Sequence, residues 1–361
     1  MEGDPRLCGD REIEGSRRSR RTYGLSARKS SFTTCRTGSV YWAGIQQGNA
    51  MKIAVMGAGA MGGYFGGRLA KAGHEVWLIA RGAHLDALQR DGLRILSPKG
   101  DAYLPDIHAT GTPADVGEVD VILFCVKNRD VESAAEAIRP MLGADTFAVT
   151  VQNGVTAWTR LGDIIGQDRV VPGVARLPGD IAEPGVIRHG ADFDMLTFGE
   201  PRGGISARVE ALRDALAGAG TIPAIHPNIV HDLWNKFCFQ ATFASMTTLT
   251  RLDAGPLRNT PETFALFRSA VQEAFGVAQA VVPDLSDDEW EKGMELFQKV
   301  IPGTAHASML DDLNRGKPLE NDYLSGDVVR LGREHGVPTP IHTMLYALLK
   351  PIADALEPPG A

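Results

Sequence analysis

The rhythm of apolar and polar positions changes twice along this 361-residue chain. The first fifty residues show no apolar period. From Met51 the pattern becomes strand-like. Lys52–Met56 is a short apolar run closed by Gly57, the form of a buried strand, and a helical stretch follows to Ala72, with Gly73 as its C-cap. Buried strands are predicted again over 75–80, 119–126 and 147–151, with a helix over 131–142. Such alternation predicts a parallel sheet covered on both faces. Short runs at 170–171, 173–175, 185–189 and 195–198, separated by Gly, Pro and Asp, predict antiparallel additions to that sheet. A helix is expected at about 205–217. After Pro227 strand signals stop. Helices are predicted over 228–247, 261–281, 286–300, 303–315, 319–334 and 340–356, with Pro227, Pro261, Pro302, Pro318 and Pro340 near their starts. The fold class is therefore α/β with a second, all-helical domain. The expected units are a tail over 1–50, a dinucleotide-binding domain over 51–226 and a helical domain over 227–361.

Composition narrows the class. A hydrophobic content of 43% with 22% charged residues is that of a globular chain rather than a disordered one. No run approaches 18 apolar residues, which disfavours a membrane partner. The formal charge of −7 argues against nucleic acid as a partner. That charge is uneven: residues 1–50 carry +4 and the rest −11. The basic run Arg17-Arg18-Ser19-Arg20-Arg21 is followed by no apolar segment, so it is not a secretory signal. The five acids among the first fourteen residues weigh against a transit peptide. The tail is expected to be disordered and dispensable, or a start-site artefact. Cys8, Cys35, Cys125 and Cys238 show no CxxC spacing, so neither a metal site nor a disulfide framework is expected. A reducing, cytoplasmic setting is.

Between the first predicted strand and helix stands Gly57-Ala58-Gly59-Ala60-Met61-Gly62. In that context the spacing is a dinucleotide fingerprint. Gly57 permits the turn, Gly59 the approach of a pyrophosphate, and Gly62 close packing of helix on strand. The helix start at Ala60 and Met61 offers free N–H groups to phosphate. Where an NAD site usually ends its second strand in Asp or Glu, this chain has Ala80-Arg81-Gly82. An arginine cannot accept from a ribose hydroxyl but pairs bidentately with a 2′-phosphate, so Arg81 points to NADP(H). Lys127 closes a buried strand at the carboxyl edge of the sheet, where ligands bind, and is a second candidate cofactor contact.

Asn153-Gly154 follows another strand onto the same edge. Asn153 could bond a nicotinamide amide or a substrate oxygen, and the pair serves equally well as a simple turn. In Leu233-Trp234-Asn235-Lys236-Phe237-Cys238-Phe239 a lysine sits among apolar neighbours on a helix. Its pKa should fall toward neutrality, as a proton donor for ketone reduction needs, unless the side chain snorkels to solvent. Lys236, Gln240 and Ala244 share one helical face. Glu320 opens a later predicted helix, where a capping role alone would account for it.

The fingerprint, Arg81, Lys127, Asn153-Gly154, the block at 233–237, Ser308-Met309-Leu310 and Glu320 twelve residues after Ser308 stand in an order and spacing that resembles the ketopantoate reductases (2-dehydropantoate 2-reductases) over about 51–356. The resemblance implies an NADP-binding Rossmann domain, a helical domain, and an active site in the cleft between them. It implies that the glycines, Arg81 and Lys127 bind NADPH and that Lys236 is the general acid. Glu320 would hold the reacting oxygen and the lysine, Ser308 would bind substrate, and Asn153 would lie between cofactor and substrate. Gln240, one turn beyond Lys236, is taken as a further substrate contact. Family members often carry asparagines where this chain has Gln240, Ala244 and Ser325, so a different 2-oxo acid is the alternative substrate. A 3-hydroxy acid dehydrogenase is disfavoured because residues 230–235 contain no glycine. A non-catalytic NADP-binding regulator would not need Lys236 and Glu320. The partner implied is a small 2-oxo acid. The oligomeric state is left open, a homodimer included.

Overall fold

A computed structural model describes residues 50–286 and 288–357. The expectations for the tail concern residues outside this range, apart from Ala50. The chain opens with β1 (Lys52–Met56), α1 (Ala60–Lys71) and β2 (Glu75–Ile79). It continues through α2 (Gly82–Asp91), β3 (Leu93–Leu96), β4 (Ala102–Leu104) and β5 (His108–Thr110). Then come β6 (Val119–Phe124), α3 (Val131–Ala137), β7 (Leu142–Thr150), α4 (Ala157–Ile165) and β8 (Val170–Arg176). The strand-bearing part closes with β9 (Gly179–Glu183), β10 (Val186–His189), β11 (Met195–Phe198), α5 (Ala207–Gly218) and β12 (Ile222–Ile225). Seven helices follow: α6 (Ile229–Thr250), α7 (Ala254–Asn259), α8 (Pro261–Val281), α9 (Asp288–Lys299), α10 (Ser308–Asn314), α11 (Ser325–Glu334) and α12 (Pro340–Leu356).

The main sheet has eight strands in the order β12-β11-β8-β7-β6-β1-β2-β5. β1 lies between β2 and β6, with Ile53 opposite both Val76 and Val121 in parallel register. This sheet is covered on both faces, which is why β1, β6 and the end of β7 are almost continuously buried. The run 170–176 is a single strand that pairs parallel with β7, and only β11 joins it in antiparallel fashion.

The expectation that 185–189 extends the main sheet is corrected. β10 lies in a separate sheet, β4-β3-β10-β9, parallel to β3 and antiparallel to β9. The reason lies in α1. A Cβ on Gly62 or Gly66 would press on Val55 of the main sheet, at 2.6 and 2.7 Å. A Cβ on Gly63 or Gly67 would press on Ile187 and Ile95 of the small sheet, at 2.9 and 2.6 Å. The glycine pairs let one helix lie closely between two sheets.

Three predicted helices differ from their expected bounds by more than three residues. The stretch 131–142 stops at Ala137, and a 3-10 turn at Arg139–Met141 that includes Pro140 leads into β7. The stretch 303–315 becomes helical only at Ser308, because the preceding segment pairs its carbonyls at Gly303 and Ala305 with the N–H groups of Gly255 and Ala254. The stretch 319–334 breaks at Leu324 (φ −117°, ψ −99°), which leaves Glu320 ahead of a short 3-10 turn rather than inside a helix. The long helix α6 packs on α8, α10 and α12 and on β8, so its start faces the carboxyl edge of the main sheet. Among the described residues no helix is long and apolar enough to cross a membrane.

Candidate active site

The glycine turn between β1 and α1 has the close packing and the open side that a dinucleotide cradle needs. Gly57 has φ +95°, where a side chain is strained, and a Cβ there would also meet the backbone of Cys125 and Val126 at 3.0 Å. A Cβ on Gly62 would run into the carbonyl oxygen of Gly57. Gly59 is different: nothing lies within 4 Å of its absent Cβ, so its outer side is open. It is also the N-cap of α1, with no capping side chain and no acid in the first turn. The N–H groups of Ala60 and Met61 therefore start a positive helix end open to an anion. These features fit a pyrophosphate. No carboxylate stands at the end of β2. Arg81 stands two residues beyond it as the N-cap of α2, with its side chain 81% exposed and paired to Asp130 at 3.0 Å.

Lys236 lies in the second turn of α6 and reaches back to the sheet. Its Nζ donates to Asn153 Oδ1 at 2.9 Å and to the Ala175 carbonyl at 3.0 Å. It does not snorkel to solvent. Burial, helped by the nearby Arg176 guanidinium, lowers its pKa from 10.5 to about 8 against the opposing charges of Asp232 and Glu320. Arg176 is held by Asp232 at 2.7 Å, one turn before the lysine. An ammonium has three N–H groups. Two are taken by Asn153 and Ala175, which leaves one for a substrate oxygen.

Glu320 arrives beside the same edge, and here one implication of the resemblance is corrected. Its carboxylate does not bond Lys236. Oε1 accepts from the backbone N–H of Asn128 at 3.2 Å and from Asn128 Nδ2 at 3.0 Å. Oε2 pairs with Lys127 Nζ at 3.3 Å. The break before α11 causes this, because it lets the loop carry the carboxylate across to β6. The capping explanation fails as well, since Glu320 makes no side-chain cap bond. Lys127 is shared with Asp312 at 3.0 Å. Burial acts against the Lys127 charge, but Glu320 and Asp312 outweigh it and hold its pKa above the ordinary lysine value.

Hydrogen bonds and ion pairs thus bring together Lys127, Asn153, Lys236 and Glu320. Ser308 opens α10 and is exposed. Gln240 is half-buried, one turn beyond Lys236. Ala244 and Ser325 do not face an open pocket. Both are fully buried, and Ser325 Oγ bonds Ser245 Oγ at 2.7 Å and His342 Nδ1 at 3.0 Å. Burial pushes His342 down to about 4, so it sits there neutral. Sequence reasoning missed Asn128, Asp312, Arg176 and the Ala175 carbonyl. Asn128 directly follows Lys127 on the ligand edge, which was the available signal. Nothing local marks the others.

Comparison with known proteins identifies the family. Residues 53–203 match the family model described as ketopantoate reductase PanE/ApbA, and residues 228–353 match its C-terminal model. A 2-dehydropantoate 2-reductase of Mesorhizobium japonicum is 32% identical over 326 residues, covering 84% of this chain and 98% of that one. The crystal structure of a PanE/ApbA family ketopantoate reductase from Ralstonia eutropha is 34% identical with a TM-score of 0.78, covering 85% of this chain and 99% of that one. D-mandelate dehydrogenase in complex with NADH is 25% identical with a TM-score of 0.75, covering 85% and 100%. With both halves matched in order, the chain belongs to the ketopantoate reductase family.

Proposed function

We propose that this protein reduces 2-dehydropantoate to pantoate with NADPH, and that the two unpaired, buried or half-buried thiols among the described residues suit a cytoplasmic setting. The family match supports the reaction. The observation that carries the mechanism is the Lys236 ammonium, held at two corners by Asn153 and Ala175 with a pKa of about 8. The cradle of Gly57, Gly59 and Gly62 with the start of α1 would hold the pyrophosphate. When bound, the reduced nicotinamide supplies a hydride. Lys236 donates its free proton to the oxygen that becomes the hydroxyl, acting as general acid. Asn153 keeps the ammonium oriented, and Glu320 adds a negative field that favours its protonated form. Ser308 and Gln240, on α10 and α6, are the substrate contacts.

The preference for NADPH rests on Arg81. Its pairing with Asp130 is exposed and worth about 0–1 kcal/mol. A bidentate bond to phosphate is worth roughly 1.5–3 kcal/mol, so a 2′-phosphate outcompetes Asp130. A second reading keeps the mechanism and changes the substrate. It is favoured by Gln240, half-buried one turn beyond Lys236, where family members often carry an asparagine. NADPH and NADH oxidation with a panel of 2-oxo acids tests both. Turnover of another 2-oxo acid in preference to 2-dehydropantoate selects the second reading, and no turnover of any 2-oxo acid refutes both.

A further inference from the structure

Asn128 stands where three parts of the cleft meet. It is 1% exposed at the carboxyl end of β6. Its backbone N–H and its Nδ2 both donate to Glu320 Oε1. The same Nδ2 donates to the Asn153 backbone carbonyl at 2.6 Å. Its own carbonyl accepts from Arg160 Nη2 at 2.8 Å, and Arg160 is paired with Glu132. Asn153 is in turn the acceptor for Lys236. One buried amide therefore joins the carboxylate of the site to the loop that holds its ammonium.

The amide has only one workable orientation. Both groups facing Nδ2 are acceptors, so the flipped amide would set an oxygen against a carboxylate and a carbonyl. In the observed orientation Asn128 Oδ1 is buried with no partner. An unpaired buried acceptor is a cost that an apolar side chain of this size would not carry. It is the donor side that does work at this position.

We propose that Asn128 is a positioning residue for the reduction, holding Glu320 on Lys127 and off Lys236 so that the lysine keeps one N–H for the substrate. Without that hold, the charged neighbours decide where Glu320 goes. Lys127 is already shared with Asp312, and Lys236 has no carboxylate bonded to it. Left with only the Asn128 backbone N–H and the shared Lys127, Glu320 is free to turn to Lys236, where it occupies the remaining N–H and tightens the lysine's grip on its proton.

The inference rests on the proposed reading of Lys236 and Glu320, and the test separates the two. Steady-state rates are measured from pH 6 to 10.5, with thermal midpoints, for the parent, Asn128→Ala, Glu320→Gln and the double variant. Asn128→Ser is the second probe should the alanine variant fail to fold. For Asn128→Ala, kcat is expected to fall about ten- to a hundredfold, the worth of hydrogen bonds to a charged group. The basic limb of its kcat profile is expected to move to higher pH, while KM for NADPH changes little. The double variant should place that limb where Glu320→Gln alone places it, at or below the parental position, because no carboxylate remains to move or to favour the charged lysine. A kcat within twofold of the parent overturns the inference, as does a fall in kcat with an unmoved limb and a proportionate rise in KM for NADPH. If Glu320→Gln turns over like the parent, the reading of Glu320 itself is overturned. If Glu320→Gln loses turnover but the Asn128 variants do not, only the inference is.

Discussion

Replacing Lys236 by methionine removes one charge and keeps most of the volume, so its effects on rate and on stability can be worked separately. The rate effect follows from losing the only proton donor proposed here. General acid catalysis is typically worth roughly 10²–10⁴-fold, or about 2.7–5.5 kcal/mol of barrier. KM for NADPH should hardly move, because the lysine is on α6 while the glycine cradle belongs to β1 and α1. In the parent, kcat should be flat below pH 8 and fall as pH rises through about 8, since the protonated lysine is the donor. The stability effect has the opposite sense. The folded pKa lies below the unfolded one, so below about pH 8 both states are protonated and the folded protein carries the full cost of the buried charge. Between about pH 8 and 10.5 the unfolded chain binds more protons, and folding becomes more favourable as pH rises. A shift from 10.5 to about 8 corresponds to roughly 3 kcal/mol. The variant also orphans Asn153 Oδ1 and the Ala175 carbonyl, at about 1–3 kcal/mol each where water cannot reach them. That loss is independent of pH. The parent should therefore gain about 3 kcal/mol on Lys236→Met between pH 7 and 10.5, whatever the difference at pH 7. Urea denaturation of both proteins across that range, alongside kcat with 2-dehydropantoate, measures the two effects. A folded Lys236→Met enzyme within a few fold of parental turnover would refute the acid role. A stability difference that does not change with pH would refute the buried charge.

Arg81→Asp should weaken NADPH binding by about ten- to a hundredfold and remove or reverse the preference over NADH, while Asp130→Ala should leave NADPH binding equal or tighter; fluorescence titration of both cofactors decides it. Gly59→Ala should keep the parental thermal midpoint, since nothing meets the added methyl, yet weaken NADPH binding by blocking the phosphate approach. Gly62→Ala should lose stability as well, because its methyl meets backbone that cannot yield. Ser325→Asn should cost about 1–3 kcal/mol in chemical denaturation by overfilling a closed polar pocket, and should leave the order of 2-oxo acid preferences unchanged.

The residues that were legible in sequence act through short local patterns. Gly57, Gly59 and Gly62 work within one turn, Arg81 lies just past a strand at the start of a helix, and Lys236 declares itself by apolar neighbours on its own helix. What was not legible depends on separations that no local window spans. Lys127 meets Asp312 across 185 residues, and Lys236 meets Asn153 across 83. The strands β3 and β4 are short and β9 is exposed along nearly its whole length, so they carry weak periodicity, and only the contacts of Gly63 and Gly67 explain the second sheet. Glu320 joins both cases. Its residue type and its spacing from Ser308 marked it, but its partner was misassigned because 319–334 carries a helical pattern that the fold interrupts at Leu324. An unbroken helix would have kept Glu320 in a first turn, fixed to its own backbone. Breaking it sends the carboxylate to Lys127 and Asn128 instead. The same irregularity that defeats the sequence pattern thus leaves Lys236 without a bonded carboxylate, which is the state a proton donor at neutral pH requires.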